Sequence, residues 1–212
     1  MTKTSVNKKR IKTRYLNVSE ESNALDYLEQ ACAHIQRTAD DKMAWKWVVL
    51  CLHGALYGFA VCAAKGTNAE ATVTKTNGKL LDFSDAIKRC QNAKRMKMTV
   101  FSQPLVLTRN QKNSVKRLHE VFRNQFIHYK PKLWFIEIHD FPLIALYGLE
   151  VIQFLALETG NYTHLSLSEK HKIKTLMFRT MRWIRTSDLY LETIAAIEME
   201  KPKSKVKKRV KK

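Results

Sequence analysis

The chain has 212 residues, 45% of them hydrophobic, with only 6 glycines and 4 prolines. That composition fits one cored domain with tails, and excludes global disorder and an architecture of strands and tight turns. The formal net charge of +19 calls for an anionic partner: nucleic acid first, then an acidic protein, then a membrane surface.

Residues 1–18 are basic and unpatterned (Lys8, Lys9, Arg10, Lys12, Arg14) and read as a flexible arm. Ser19-Glu20-Glu21-Ser22 starts a first helix, acidic where the helix dipole is positive. That helix runs to about Thr38, with Ala24, Leu25, Leu28, Ala31, Cys32 and Ile35 at core spacing. Asp40-Asp41 starts a second, very apolar helix that ends near Gly66. Its 47–64 stretch is long enough to span a bilayer, or to form a central helix buried on all sides. His53, Gly54, Tyr57, Gly58, two cysteines and flanking lysines favour the buried helix, so no membrane partner is expected.

The polar segment 66–82 contains the turn pair Asn77-Gly78. A short helix follows from Phe83 to about Ala93, then a loop or extended piece over 96–108 that contains Pro104. Thr108 is an N-cap for a helix reaching Tyr129 and ended by Pro131. Leu133 to Ile138 reads as a short strand or an extended connector. Asp140-Phe141-Pro142 opens a helix over 143–158 that Gly160-Asn161 closes, and Ser166-Leu167-Ser168-Glu169 opens a basic helix to about Thr186. An amphipathic piece, 188–199, precedes a tail. The expected class is all-α, an up-and-down helical bundle of about five main helices. The domain boundaries are an arm over 1–18, a helical domain over 19–199 and a basic disordered tail over 200–212.

Cys32, Cys51, Cys62 and Cys90 form no C-x-x-C pair and no grouping with histidine at zinc spacing. They read as reduced thiols behaving as small hydrophobes in a cytoplasmic protein, which leaves the Asn161-Tyr162-Thr163 sequon without use. His34 and His53 read as partnered core histidines. His164 and His171 lack acidic or cysteine partners at ligand spacing, so neither metal nor cofactor is expected.

The chemistry-bearing segment is Arg123-Asn124-Gln125-Phe126-Ile127-His128-Tyr129. Cleaving a ribose phosphodiester without metal needs a proton acceptor near neutral pH and a fixed cation for the developing phosphorane charge. Histidine supplies the first and arginine the second. At about 100° per residue, Val115, Leu118, Phe122, Phe126 and Tyr129 make one apolar stripe. Arg123 and His128 then fall on opposite flanks of the far side, about 140° apart, with Glu120, Asn124 and Ile127 between them. A homodimer packed on Ile127 would let two such sets share one cleft. The same residues also fit a plain surface, with Arg123 paired to Glu120, Asn124 solvated and His128 capping free carbonyls.

The RNQFIHY segment, ending a helix after an apolar early pair, resembles the signature of HEPN domains. The stretches AWKWVVLCLHGALYGFAVCAAKGTN and LALETGNYTHL are similar to an uncharacterised group of bacterial HEPN-like proteins, over roughly 20–190. The resemblance implies a helical bundle, frequent homodimerisation and, in many members, metal-independent RNA cleavage to a 2′,3′-cyclic phosphate in toxin or defence roles. On that reading Arg123 holds the phosphate, His128 moves the proton and Asn124 orients, with Glu120 and Tyr129 as accessories. Other members bind nucleic acid, an antitoxin or another protein without catalysis, and that alternative stays open. Lys172, Lys174, Arg179, Arg182 and Arg185, with Trp183, form a solvated basic surface or a nucleic-acid patch. The tail carries Lys201, Lys203, Lys205, Lys207, Lys208, Arg209, Lys211 and Lys212, a block suited to sequence-independent RNA binding.

Overall fold

The computed structural model describes residues 14–65, 74–75, 77–128, 131, 133–161 and 165–200. The arm over 1–13, Tyr129 and the tail over 201–212 lie outside the described residues. Helix α1 (Glu20–Arg37) begins at a capping box in which Ser19 Oγ accepts from Ser22 N–H and Ser22 Oγ accepts from Ser19 N–H, at 3.1 and 2.9 Å. Helix α2 (Ala44–Lys65) starts a few residues after the acidic pair. Asp41 Oδ1 instead accepts from Met43 N–H in the turn before it.

Helix α2 is the centre of the fold. It packs against α1, α3 (Phe83–Gln91), the middle of α4 and the first part of α5. Helix α4 is a continuous run over 109–127, and α5 covers 141–158. Thirteen α2 side chains are buried, including Phe59, Leu52, Leu56 and Ala60. Burial over most of its surface explains the apolar sequence, while the flank carrying Trp47 stays open. Both Ala44–Lys65 and Phe141–Glu158 are long and apolar enough to cross a membrane, and 61% of each apolar window is buried against other helices.

Two α2 glycines set how closely α1 approaches. A Cβ on Gly58 would stand 2.7 Å from the Cβ of Ala24, and one on Gly54 would stand 2.7 Å from the Tyr27 ring. Ordinary carbon contacts need about 3.5–4.0 Å, so only glycine permits this seam.

Among the described residues there is no strand, only a single Thr74–Leu80 bridge around the turn at Gly78 (φ 76°). The 133–138 segment is an extended connector without strand pairing. Helices α6 (Leu167–Thr186) and α7 (Asp188–Glu200) complete the all-α fold, α6 packing on α1 and α5.

Asn161 ties the loop between α5 and α6 to the core. Its side-chain amide donates to Met96 O at 3.0 Å and Ala63 O at 3.4 Å, and its Oδ1 accepts from Ser102 Oγ at 2.5 Å. The asparagine of the sequon is therefore a buried hub rather than a surface acceptor.

Candidate functional site: the cleft at Arg123

Helix α4 is not uniform. Thr108 caps it as the sequence predicts, its hydroxyl accepting from Gln111 N–H at 3.2 Å and its N–H donating to Gln111 Oε1 at 3.0 Å. Arg109–Lys116 is α-helical, Arg117–Arg123 is π-helical and Asn124–Ile127 is α-helical again. Wide i→i+5 turns are rare and occur frequently where a helix carries function. Arg117 fastens this segment to the start of α5 through Asp140 at 2.7 Å. Val115, Leu118 and Phe122 are buried and Phe126 packs against the core, so the predicted stripe is the core face.

His119 and Arg123 project from one flank of this segment toward α2. His53 Nε2 and His119 Nδ1 are 2.9 Å apart, so one ring donates and the other accepts. Phe83 stacks on both imidazoles, at 4.5 Å from His53 and 4.4 Å from His119. Burial, followed by the neighbouring His119 and Arg123 charges, pushes His53 down to about 4. His119 is also lowered, by burial first and then by Arg123. At neutral pH the pair is therefore uncharged beside a permanent cation.

Arg123 and His53 line a cleft of about 770 Å³ between α1, α2 and α4. The cleft has apolar walls (Tyr27, Trp47, Leu50, Val61, Ile127) and a few polar groups (Glu20, Asn23, Tyr57). That size and composition are those of ligand sites. Arg123 is not paired to Glu120, whose carboxylate takes Lys116 at 3.8 Å. Its Nη1 donates to Asn124 Oδ1 at 3.0 Å, and Asn124 Nδ2 donates to Glu120 O at 3.1 Å. Asn124 thus orients the guanidinium and leaves its other N–H donors for an anion.

His128 stands elsewhere. It is the exposed residue that ends the helix, with extended backbone (φ −90°, ψ 111°). It lines a second groove of about 550 Å³ with Trp45, Phe126, Trp134 and Ile136, framed by Lys42 and Lys46. Within one chain Arg123 and His128 open onto different clefts, as their opposite flanks implied. Ile127 is 41% exposed at the rim of the Arg123 cleft.

His53 is a partnered histidine as expected, yet it also faces a cleft. His34 is half-exposed rather than core, stacked on Trp47 at 6.1 Å. Sequence reasoning missed His119 altogether. Its signal was the spacing of four residues to Arg123, which places both on one helix flank. The four cysteines are buried and none is in a disulfide; burial pushes Cys32 up to about 11 and Cys90 to about 12, so neither is a nucleophile. Among the described residues no group of three or more His, Cys, Asp or Glu side chains is arranged to hold a metal ion.

Comparison of the chain with family models, with curated proteins and with solved structures found no match in any of the three.

Proposed function

We propose that this protein is a metal-independent endoribonuclease whose centre is the His53–His119 pair with Arg123. The observation that carries the reading is the 2.9 Å His53–His119 bond, with His53 and Arg123 lining one ligand-sized cleft. In the tautomer in which His119 Nδ1–H donates to His53 Nε2, His119, the less buried ring, keeps one free lone pair. The pair takes the 2′-hydroxyl proton as the 2′-oxygen bonds to phosphorus. Arg123 meets the phosphorane charge. The bond to the 5′-oxygen of the next nucleotide breaks, and that oxygen receives the proton, leaving a 2′,3′-cyclic phosphate. One proton is taken up and one returned, so the pair ends as it began.

The likeness of RNQFIHY to HEPN domains supports the same chemistry and a HEPN-like bundle, with a toxin-like or defence role. The separation of Arg123 from His128 favours moving the proton-transfer role from His128 to the histidine pair. Exposed Tyr27, Trp47, Val121 and Ile127 support a homodimer that covers this cleft. The competing reading is a catalytically silent module that binds RNA or an antitoxin-like protein.

A short RNA with a single 2′-deoxy nucleotide at the cleaved position separates the two readings. Cleavage in EDTA that disappears at that position supports the nuclease. Binding without cleavage of any RNA favours the silent module.

A further inference from the structure

Helix α6 carries an exposed aromatic ring on a cationic face. Phe178 is 68% exposed, although the buried residues of the same helix (Ile173, Met177, Met181, Ile184) already supply its contact with the core. Lys174 and Arg182 lie four residues to either side of it, and Arg185 follows. Side chains three or four apart lie along one helix flank. These four side chains, with Glu150 and Gln153 of α5, line a cleft of about 670 Å³.

The one carboxylate in the cleft is already engaged. Glu150 Oε1 is 3.7 Å from Arg185 and its Oε2 accepts from Gln111 Nε2 at 3.1 Å. Among the described residues Lys174, Arg179 and Arg182 make no ion pair, in contrast to Lys172, which holds Glu29 at 2.5 Å. The cleft thus holds two cations without an ion pair, Lys174 and Arg182, with a flat ring between them.

We infer that this α5–α6 cleft is a track for single-stranded RNA, with Phe178 stacking an unpaired base and Lys174 and Arg182 touching the flanking phosphates. The choice of RNA rests on the proposed nuclease reading; the choice of a single strand rests on the ring. A duplex keeps its base faces stacked inside, so an exposed phenyl ring has nothing there to bind. A membrane surface fits less well, because an interfacial helix needs a broad apolar face and this one offers a single ring among cations.

The test is fluorescence anisotropy on the full chain with a labelled 2′-O-methyl oligonucleotide, which cannot be cleaved through its 2′-position. Phe178→Ala should weaken single-strand binding about 10-fold, the order expected for unstacking one base, and leave duplex binding unchanged. Phe178→Trp should restore it. The double variant Lys174→Gln/Arg182→Gln should make the single-strand salt slope shallower by about 1.4, because two phosphates are no longer neutralised. Phe178 is exposed, so Phe178→Ala should melt like the parent, and a circular-dichroism melt checks this. The inference is overturned if Phe178→Ala binds the single strand as the parent does, or weakens single-strand and duplex binding equally. It is also overturned if Phe178→Ala is released only from anionic phosphatidylserine vesicles. Because the probe is uncleavable, weaker binding by Phe178→Ala supports the track even if the wild type cuts no RNA. Cleavage in EDTA with Phe178→Ala binding unaltered would sink the track alone.

Discussion

His53 makes stability depend on acid in a way that can be calculated. An unfolded chain protonates a histidine near pH 6.5, whereas the folded protein resists protonation of His53 until about pH 4. Between those values the unfolded state holds the extra proton, so stability falls as pH falls through the window. Above pH 6.5 the ring is neutral in both states and contributes no slope. At roughly 1.36 kcal/mol per pH unit, the full gap amounts to ~3 kcal/mol, lost by the time pH reaches 4. His53→Gln keeps an amide able to bond His119 Nδ1 and does not titrate. Carboxylate titration, and the burial and Arg123 effects on His119, are common to both proteins and cancel in the difference. Urea unfolding followed by circular dichroism from pH 4 to 8 should show the wild type losing ~3 kcal/mol more than His53→Gln across the acid limb, with the two curves parallel above pH 7. A difference that stays flat from pH 7 to 4 would refute the buried, neutral imidazole pair.

Asn161→Leu removes two donors to main-chain carbonyls and the acceptor for Ser102; urea unfolding should show a loss of about 2–4 kcal/mol, since the orphaned partners stay buried. A parent-like midpoint would show that the hub is dispensable. Deleting 201–212 takes away eight positive charges, so RNA binding should weaken. Its salt slope should become shallower by about 0.7 for each phosphate the tail had neutralised, with base preference unchanged. An unaltered slope would place the tail away from the bound RNA. Light scattering on the wild type and on Ile127→Glu should show a dimer that the charge disrupts, and a monomeric wild type at tens of micromolar (roughly where weak interfaces still register) would argue against a second copy over the cleft.

Most helix starts were legible because they are local chemistry. Ser19, Thr108 and Ser166 each cap the helix that the sequence places after them. The third helix also starts at Phe83 as the sequence places it, with Asp82 supplying the cap oxygen. Asn77-Gly78 and Gly160 were readable as positive-φ positions, and both glycines are. The π-helical turn of α4 was not readable, because it answers to tertiary contacts such as Arg117–Asp140 that no local pattern announces. The site was half legible. Arg123 and Asn124 bond to each other near the end of α4, while the neighbours of His119 come from His53, 66 residues before it, and from Phe83 on a third helix. Periodicity gives the face of one helix; it does not say which neighbour meets that face.

The central claim is tested most directly by incubating RNA with the protein in EDTA and comparing wild type with His53→Ala, His119→Ala, Arg123→Ala and His128→Ala, each checked for an unchanged fold. The account predicts cleavage of RNA but not DNA, with 2′,3′-cyclic phosphate ends. His53→Ala, His119→Ala and Arg123→Ala should each lose about a hundredfold or more in rate, while His128→Ala stays near wild type. Cleavage abolished by EDTA, or a loss confined to Arg123→Ala and His128→Ala with His53→Ala cutting like the wild type, would contradict it.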